Sequence, residues 1–338
     1  MYEPYFNLTG KPFQLNPDPS FYFGSRGHKR AFAYLEYGLY QSEGFIVITG
    51  EVGAGKTTIV RSLLEQLDPS KVVAAQLVST QLDADNLLRS VMVAFGLPVK
   101  SPDKAMLLAA LEAFLCQCAI ENKRVLLVVD EAQNLSEQAV EELRMLSNFQ
   151  LGDRALLQSF LVGQPQLRDM MRSPQMLQLR QRVIASYHLG PLDKAEARAY
   201  IEHRLRRVGW KEDPQIEVEC FDQIHAVTGG IPRRINTLCN RLMLAAYLGE
   251  KHAITPSDVH AIASEIREEL GPEAALVPVG SATGTERQTS DGAIFRRHFE
   301  HVEQRLDRLE KTVAAAVDLL HRLLHPERTS KPGSPGGR

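Results

Sequence analysis

The segment Gly50-Glu51-Val52-Gly53-Ala54-Gly55-Lys56-Thr57-Thr58, directly after the apolar run Phe45 to Thr49, constrains this chain more than any other feature. A glycine-rich turn between a buried strand and a helix, closed by Lys and Thr, is the phosphate-loop pattern in the context it requires. Its glycines let the backbone turn N–H groups onto phosphates. Lys56 is placed to reach the β- and γ-phosphates, and Thr57 to bind Mg²⁺ at the positive end of a helix.

The surrounding sequence fits an α/β fold. From Phe45 to His188, the short runs FIVIT, KVVAAQLV, RVLLVV, LLQSFLVG and VIASYHL alternate with helical patterns and read as five buried strands. That alternation predicts a parallel sheet covered by helices. After Pro191 the strand signals stop and three or four amphipathic helices follow. One opens with Asp193 and Glu196 and another with Thr255, Pro256 and Asp258, both with capping-box character. The expected organisation is a nucleotide-binding domain over 1–190 and a helical lid over 191–270. A flexible linker over 271–292, a coiled-coil helix over 293–325 with apolar residues at alternating steps of four and three, and a disordered tail over 326–338 complete it.

Composition narrows the function classes. Of 338 residues, 44% are hydrophobic and 24% charged, ordinary for a globular protein with a sizeable core. The net charge of −2 supplies no global field for nucleic acid, so DNA or RNA is not the expected partner, although a local basic patch would escape this test. Cys116, Cys118, Cys220 and Cys239 form no CxxC pair and fit a reducing compartment, with no structural zinc expected. His188 and His225 lack companions at ligand spacing and read as structural histidines. The N-terminus has no signal-peptide pattern, and the apolar runs fall short of the ~20 residues of a membrane helix. A cytoplasmic protein is expected, with peripheral contact to the inner membrane as an option.

A phosphate loop needs an acidic partner at the end of another buried strand, and Val125-Leu-Leu-Val-Val-Asp130-Glu131 supplies one. Asp130 is expected to hold Mg²⁺, and Glu131, beside it, to orient and deprotonate an attacking water.

Together with Gly229-Gly-Ile-Pro232-Arg233-Arg-Ile-Asn236, these motifs resemble the AAA+ ATPases over residues 1 to about 270. Within that superfamily, PYFNLTGKPFQLNPDP, FYFGSRGHKRAFAYLEYGL, GEVGAGKTT, LLVVDEAQNL and FLVGQPQL, in this order, resemble the general secretion pathway protein A type. That type commonly continues into a membrane span and a peptidoglycan-binding domain. This sequence continues instead into linker and heptads, and so looks more like the shorter variant associated with exosortase and exopolysaccharide systems.

The resemblance implies further roles. Gln164, ending LLQSFLVG, matches the polar sensor of the γ-phosphate or attacking water, and Arg233 the lid arginine that reports the γ-phosphate. Arg180 and Arg182 stand where a finger reaches a neighbour's nucleotide, with Arg182 preferred, which makes catalysis depend on assembly. The adenine is expected near Phe23, Gly24 and Arg26 to His28, whereas Phe6, Phe13, Phe21 and Tyr22 read as core. The implied function is Mg²⁺-dependent ATP hydrolysis by a homo-oligomer that drives or regulates envelope secretion or exopolysaccharide export. Two alternatives stay open: a DNA-dependent regulator of transposition, which shares the core motifs, and a nucleotide-gated scaffold for an envelope polysaccharide complex.

Overall fold

The computed structural model describes residues 1–16, 18–78, 83–99 and 103–270. The expected linker, coiled-coil helix and tail lie outside them. All five strands read from the sequence are present: β1 Phe45–Gly50, β2 Val72–Val78, β3 Arg124–Asp130, β4 Gln158–Gly163 and β5 Val183–Leu189. They form one parallel sheet in the order β2-β3-β4-β1-β5.

The near-continuous apolar runs follow from cover on both faces. Ile46, Ile48, Leu126, Val128, Phe160 and Val162 pack with Ala31 and Leu35 of helix Arg26–Gln41 and with Ile59, Val60 and Leu63 of helix Lys56–Gln66. The alternate residues Phe45, Val47, Val125, Leu127, Val129 and Leu161 face helices Ala84–Ala94, Lys104–Ile120 and Glu137–Leu146. Caps start these helices where the sequence offers a side-chain acceptor: Ser25, Asp83, Asp103 and Ser136 each accept from a backbone N–H of the first turn.

The part after Leu189 is a bundle of helices Lys194–Arg207, Val218–Thr228, Pro232–Leu248 and Pro256–Leu270. Asp193 and Glu196 make a complete reciprocal capping box, and Thr255 donates to Asp258 through both its backbone N–H (2.9 Å) and its hydroxyl (2.7 Å). The expectation that strands end at Pro191 needs correcting: Gln215–Ile216 pairs in parallel with Ala253–Ile254. Two-residue strands carry too little alternation to be seen in a sequence. The same holds for the small antiparallel pair Gln150–Leu151 with Arg154–Ala155 ahead of β4.

The N-terminal residues depart from the expected 1–190 grouping. Tyr2, Phe6, Leu8 and Phe13 are buried in the core of the helical bundle, with Ile201, Leu205, Leu238, Leu242 and Val259, rather than against the sheet. Phe6 and Phe13 are therefore core residues, as expected. A polar clamp fixes the same segment. The buried Arg204 donates to the carbonyls of Pro12 (2.5 Å) and Gln14 (3.3 Å) and to Tyr200 Oη (3.0 Å), and its guanidinium lies 4.7 Å from the Phe21 ring centre. Tyr200 Oη in turn donates to Asn236 Oδ1 at 2.9 Å. The chain thus enters the lid, crosses into the sheet domain, and returns to the lid after β5.

Truncation of Phe6, 2% exposed in that core, should be costly. Phe6→Ala is expected to lower unfolding stability by about 3–5 kcal/mol in chemical denaturation. A loss no larger than that of an exposed substitution would show that the N-terminal segment does not belong to this core.

Candidate functional site

The site is assembled at the carboxyl ends of three neighbouring strands, β3, β4 and β1. β1 runs into the loop that begins helix Lys56–Gln66, whose N-cap is Gly55 at φ 99°. Lys56 is buried, and its Nζ donates to the carbonyls of Gly50 (2.8 Å) and Glu51 (3.0 Å) at the loop entrance. Thr57 Oγ1 donates to Asp130 Oδ2 across 2.9 Å, which ties the start of helix Lys56–Gln66 to the end of β3. Thr58 is half-buried in the same helix start, whereas Glu51 and Val52 are exposed on the loop.

Asp130 also accepts from the Glu131 N–H at 2.9 Å, and Glu131 takes a left-handed backbone at φ 53°. Its carboxylate is held by two amides: Glu131 Oε2 accepts from Gln133 Nε2 (2.6 Å) and from Gln164 Nε2 (3.1 Å). Gln133 Oε1 accepts from the Gln164 backbone N–H at 2.9 Å, so Gln133 ties the acidic pair to the end of β4. Sequence reasoning misses Gln133. Its one signal is an amide two residues beyond the acidic pair, within DEAQNL.

Burial shifts the charges of the site in opposing directions. It pushes the Asp130 carboxyl up, against the lowering effect of Thr57 and the Glu131 N–H. Burial also acts to raise Glu131, but the Gln133 and Gln164 amides and the Lys56 ammonium outweigh it and leave Glu131 below its ordinary value. Burial lowers Lys56, opposed by Glu131, Asp130 and Glu51. The result is an ionised carboxylate, a lysine and a hydroxyl–carboxylate oxygen pair around one loop.

The helical domain closes on this loop through Gly53 and Arg233. The Arg233 N–H, at the start of helix Pro232–Leu248, donates to the Gly53 carbonyl at 3.1 Å. Gly53 has φ 81°, and a Cβ there would stand 2.3 Å from Arg233 Cβ, so glycine is required both by conformation and by the approach of the lid. The Arg233 side chain is exposed beside the loop. Leu192, in the connection to the lid, donates its N–H to the Gly230 carbonyl (2.9 Å), and its own carbonyl lies 3.0 Å from His225 Nε2. The GGIP segment is thereby joined to the end of the sheet domain. His188 Nδ1 lies 3.1 Å from Thr49 Oγ1, so both histidines have structural partners.

The remaining sequence candidates lie apart. Arg182 Nη1 donates to Ser147 Oγ (2.8 Å) before the start of β5, and Arg180 is exposed, donating to the Arg172 carbonyl (3.1 Å). Both hold partners away from the phosphate loop of their own chain. Of the stretch expected around the adenine, Arg26 pairs with Asp193 and Glu196 of the lid capping box, and Phe23 borders an open cleft with Ala199, His203, Arg206 and Arg207. His28 is buried beneath the phosphate loop. Among the described residues no group of three or more His, Cys, Asp or Glu could hold a metal, and no helix is long and apolar enough to cross a membrane.

Comparison with known proteins agrees with this geometry. Residues 39–171 match the AAA domain family. Over 267 residues, 79% of this chain, the sequence is 38% identical to general secretion pathway protein A of Aeromonas hydrophila, of which it spans 48%, about half the length. The fold is shared with Cdc6p from Pyrobaculum aerophilum (TM-score 0.59, 16% identity, 76% of this chain and 71% of that one). It is shared also with the ORC2 protein of Aeropyrum pernix, solved with ADPNP and ADP (TM-score 0.53, 19% identity, 71% and 66%).

Gly53→Ala places a Cβ against Arg233 and forces a left-handed alanine, a strain of about 1–2 kcal/mol. The expected result is about tenfold weaker nucleotide binding in a fluorescent-nucleotide titration. Unchanged affinity would mean that the lid contact at Gly53 is irrelevant to the loop. The phosphate loop and the acidic strand end thus lie within the stretch, 39–171, that matches the AAA domain family, in a chain similar in sequence to general secretion pathway protein A.

Proposed function

We propose that this ATPase hydrolyses ATP with Mg²⁺, as a homo-oligomer, in the service of envelope secretion or exopolysaccharide export. One observation carries the chemistry: Lys56 and Thr57, Asp130 and Glu131, and Gln164 meet at the ends of three adjacent strands. The hydroxyl of Thr57 and the carboxylate of Asp130, 2.9 Å apart, are hard oxygen donors of the kind Mg²⁺ takes, and they would hold it. Bound there, Mg²⁺ supplies charge neutralisation on the β- and γ-phosphate oxygens.

The chain's own residues account for the rest. Backbone N–H groups from Gly53 to Thr58 cradle the phosphates, and Lys56 exchanges its two carbonyl partners for phosphate oxygens. Glu131, ionised at neutral pH, accepts a proton from the attacking water, and Gln164 shares a hydrogen bond with it, so water and γ-phosphate are sensed together. Arg233 swings from the loop edge to the γ-phosphate, and the Gly53–Arg233 contact carries that movement to the lid. Arg182, released from Ser147, would serve a neighbour's nucleotide as a finger, with Arg180 the other candidate. Self-association through the heptads of residues 293–325 would favour that assembly.

The role in secretion is supported by the 38% identity to general secretion pathway protein A, whose name states that pathway. Glu131→Gln is expected to keep ATP affinity while lowering turnover about 10²–10⁴-fold. Wild-type turnover should rise with protein concentration and ignore duplex DNA. Near-normal turnover in the variant would overturn the assignment of the base. Stimulation by DNA that fades with salt would replace the secretion reading with a transposition-type regulator. Export sustained by the ATP-trapped variant would favour the scaffold.

A further inference from the structure

We propose that Gln133 is a positioning residue for hydrolysis: it holds one oxygen of the Glu131 carboxylate, joins that carboxylate to the end of β4, and leaves the other oxygen to take the proton of the attacking water. Gln133 lies in the single helical turn Ala132–Asn134 that follows Glu131. Ala132 and Leu135, at the two ends of this turn, are buried in the same core as Val129, Leu161 and Leu167, which anchors it. From there the Gln133 amide makes two bonds of opposite polarity. Nε2 donates to Glu131 Oε2 at 2.6 Å, and Oε1 accepts the Gln164 N–H at 2.9 Å. An ionised carboxylate only accepts and a backbone N–H only donates, so these partners fix which end of the amide faces which. Gly163, the last residue of β4, makes room for the acceptor end: a Cβ there would stand 2.8 Å from Gln133 Oε1.

The Glu131 side chain is long and half-buried, so packing by itself does not select one rotamer for it. Hydrogen bonds do. Gln164 Nε2 donates at 3.1 Å to the same oxygen, Oε2, that Gln133 holds. Among the described residues none bonds to Oε1, which is therefore the oxygen available to a proton. Glu131, Gln133 and Gln164 thus form a closed ring: Gln133 bonds the carboxylate and the Gln164 backbone, and the Gln164 side chain returns to the carboxylate. That ring orients the base and the amide beside it as one unit. The contacts of the phosphate loop are independent of it, since Lys56 bonds Gly50 and Glu51 and Thr57 bonds Asp130. Loss of Gln133 therefore opens the ring and leaves the phosphate loop as it is.

The inference rests on Glu131 being the base, and two substitutions with a double-mutant cycle test it. Gln133→Met keeps the length of the side chain and loses both bonds. Gln133→Glu keeps an acceptor for the Gln164 N–H and sets an oxygen against the Glu131 carboxylate. ATP affinity, KM and kcat of the full chain are the readout. Both variants are expected to hold ATP affinity and KM within about twofold of wild type and to lower kcat about 10–100-fold. In a Glu131→Gln background, adding Gln133→Met should cost no more than about a further twofold, because the carboxylate it positions is gone. A kcat within about twofold of wild type in Gln133→Met, a loss carried wholly by KM, or the same loss of kcat in both backgrounds would reduce Gln133 to a packing residue and overturn the proposal. Should Gln133→Met fail to fold, Gln133→Glu, the closer match in shape, is read against the same outcomes in both backgrounds. Near-normal turnover in Glu131→Gln alone would instead remove the base, and with it the reading beneath the proposal.

Discussion

The hydrogen bond from Thr57 to Asp130 joins the first turn of the helix that follows β1 to the end of β3, a strand separated from β1 in the sheet by β4. That 2.9 Å contact requires the loop after β1 to bring the helix start over the carboxyl end of β3. Parallel order meets that requirement, because every carboxyl end then lies on one edge. The buried runs that stack both faces of the sheet keep the three ends in register, and the polar residues following them are brought together as a result. The oxygens expected to meet a cation, the acidic pair and the Gln164 amide are thus products of one packing arrangement.

A second dependence runs through the lid. The loop is contacted from two sides, by Arg233 at Gly53 and by His28 at Gly55. One contact belongs to the helical domain and the other to a helix ahead of β1. The lid is also gripped by the N-terminal segment, whose Tyr2, Phe6 and Phe13 lie in its core, and by the Arg204 clamp on Pro12 and Gln14. Arg26, on the same helix as His28, adds an ionic contact to the lid capping box. The helical bundle is therefore tied to both ends of the sequence that leads into the loop.

Much of this is legible in the sequence because its signals are local. The strands from Phe45, Val72, Arg124, Gln158 and Val183 are apolar runs of strand length, and the Asp193–Glu196 capping box is four consecutive residues. Lys56, Thr57, Asp130 and Glu131 sit at fixed offsets from strand ends, so their meeting follows from spacing. That of Gln133 does not. Its role comes from bridging Glu131 and the Gln164 backbone, two partners whose proximity exists only once β3 and β4 pair.

The sequence by itself determined the element types, the phosphate loop and the acidic strand end, since each rests on residues within a few positions of one another and on backbone geometry that glycine alone permits. Tertiary structure decided what those elements touch. It put Phe6 in the lid instead of the sheet domain, set His28 under Gly55, pressed Arg233 against Gly53, and bound Arg182 to Ser147. These contacts join residues from about 25 to about 250 positions apart in the chain. Periodicity records which face of an element is buried, but the identity of the partner on that face is set by how whole layers pack.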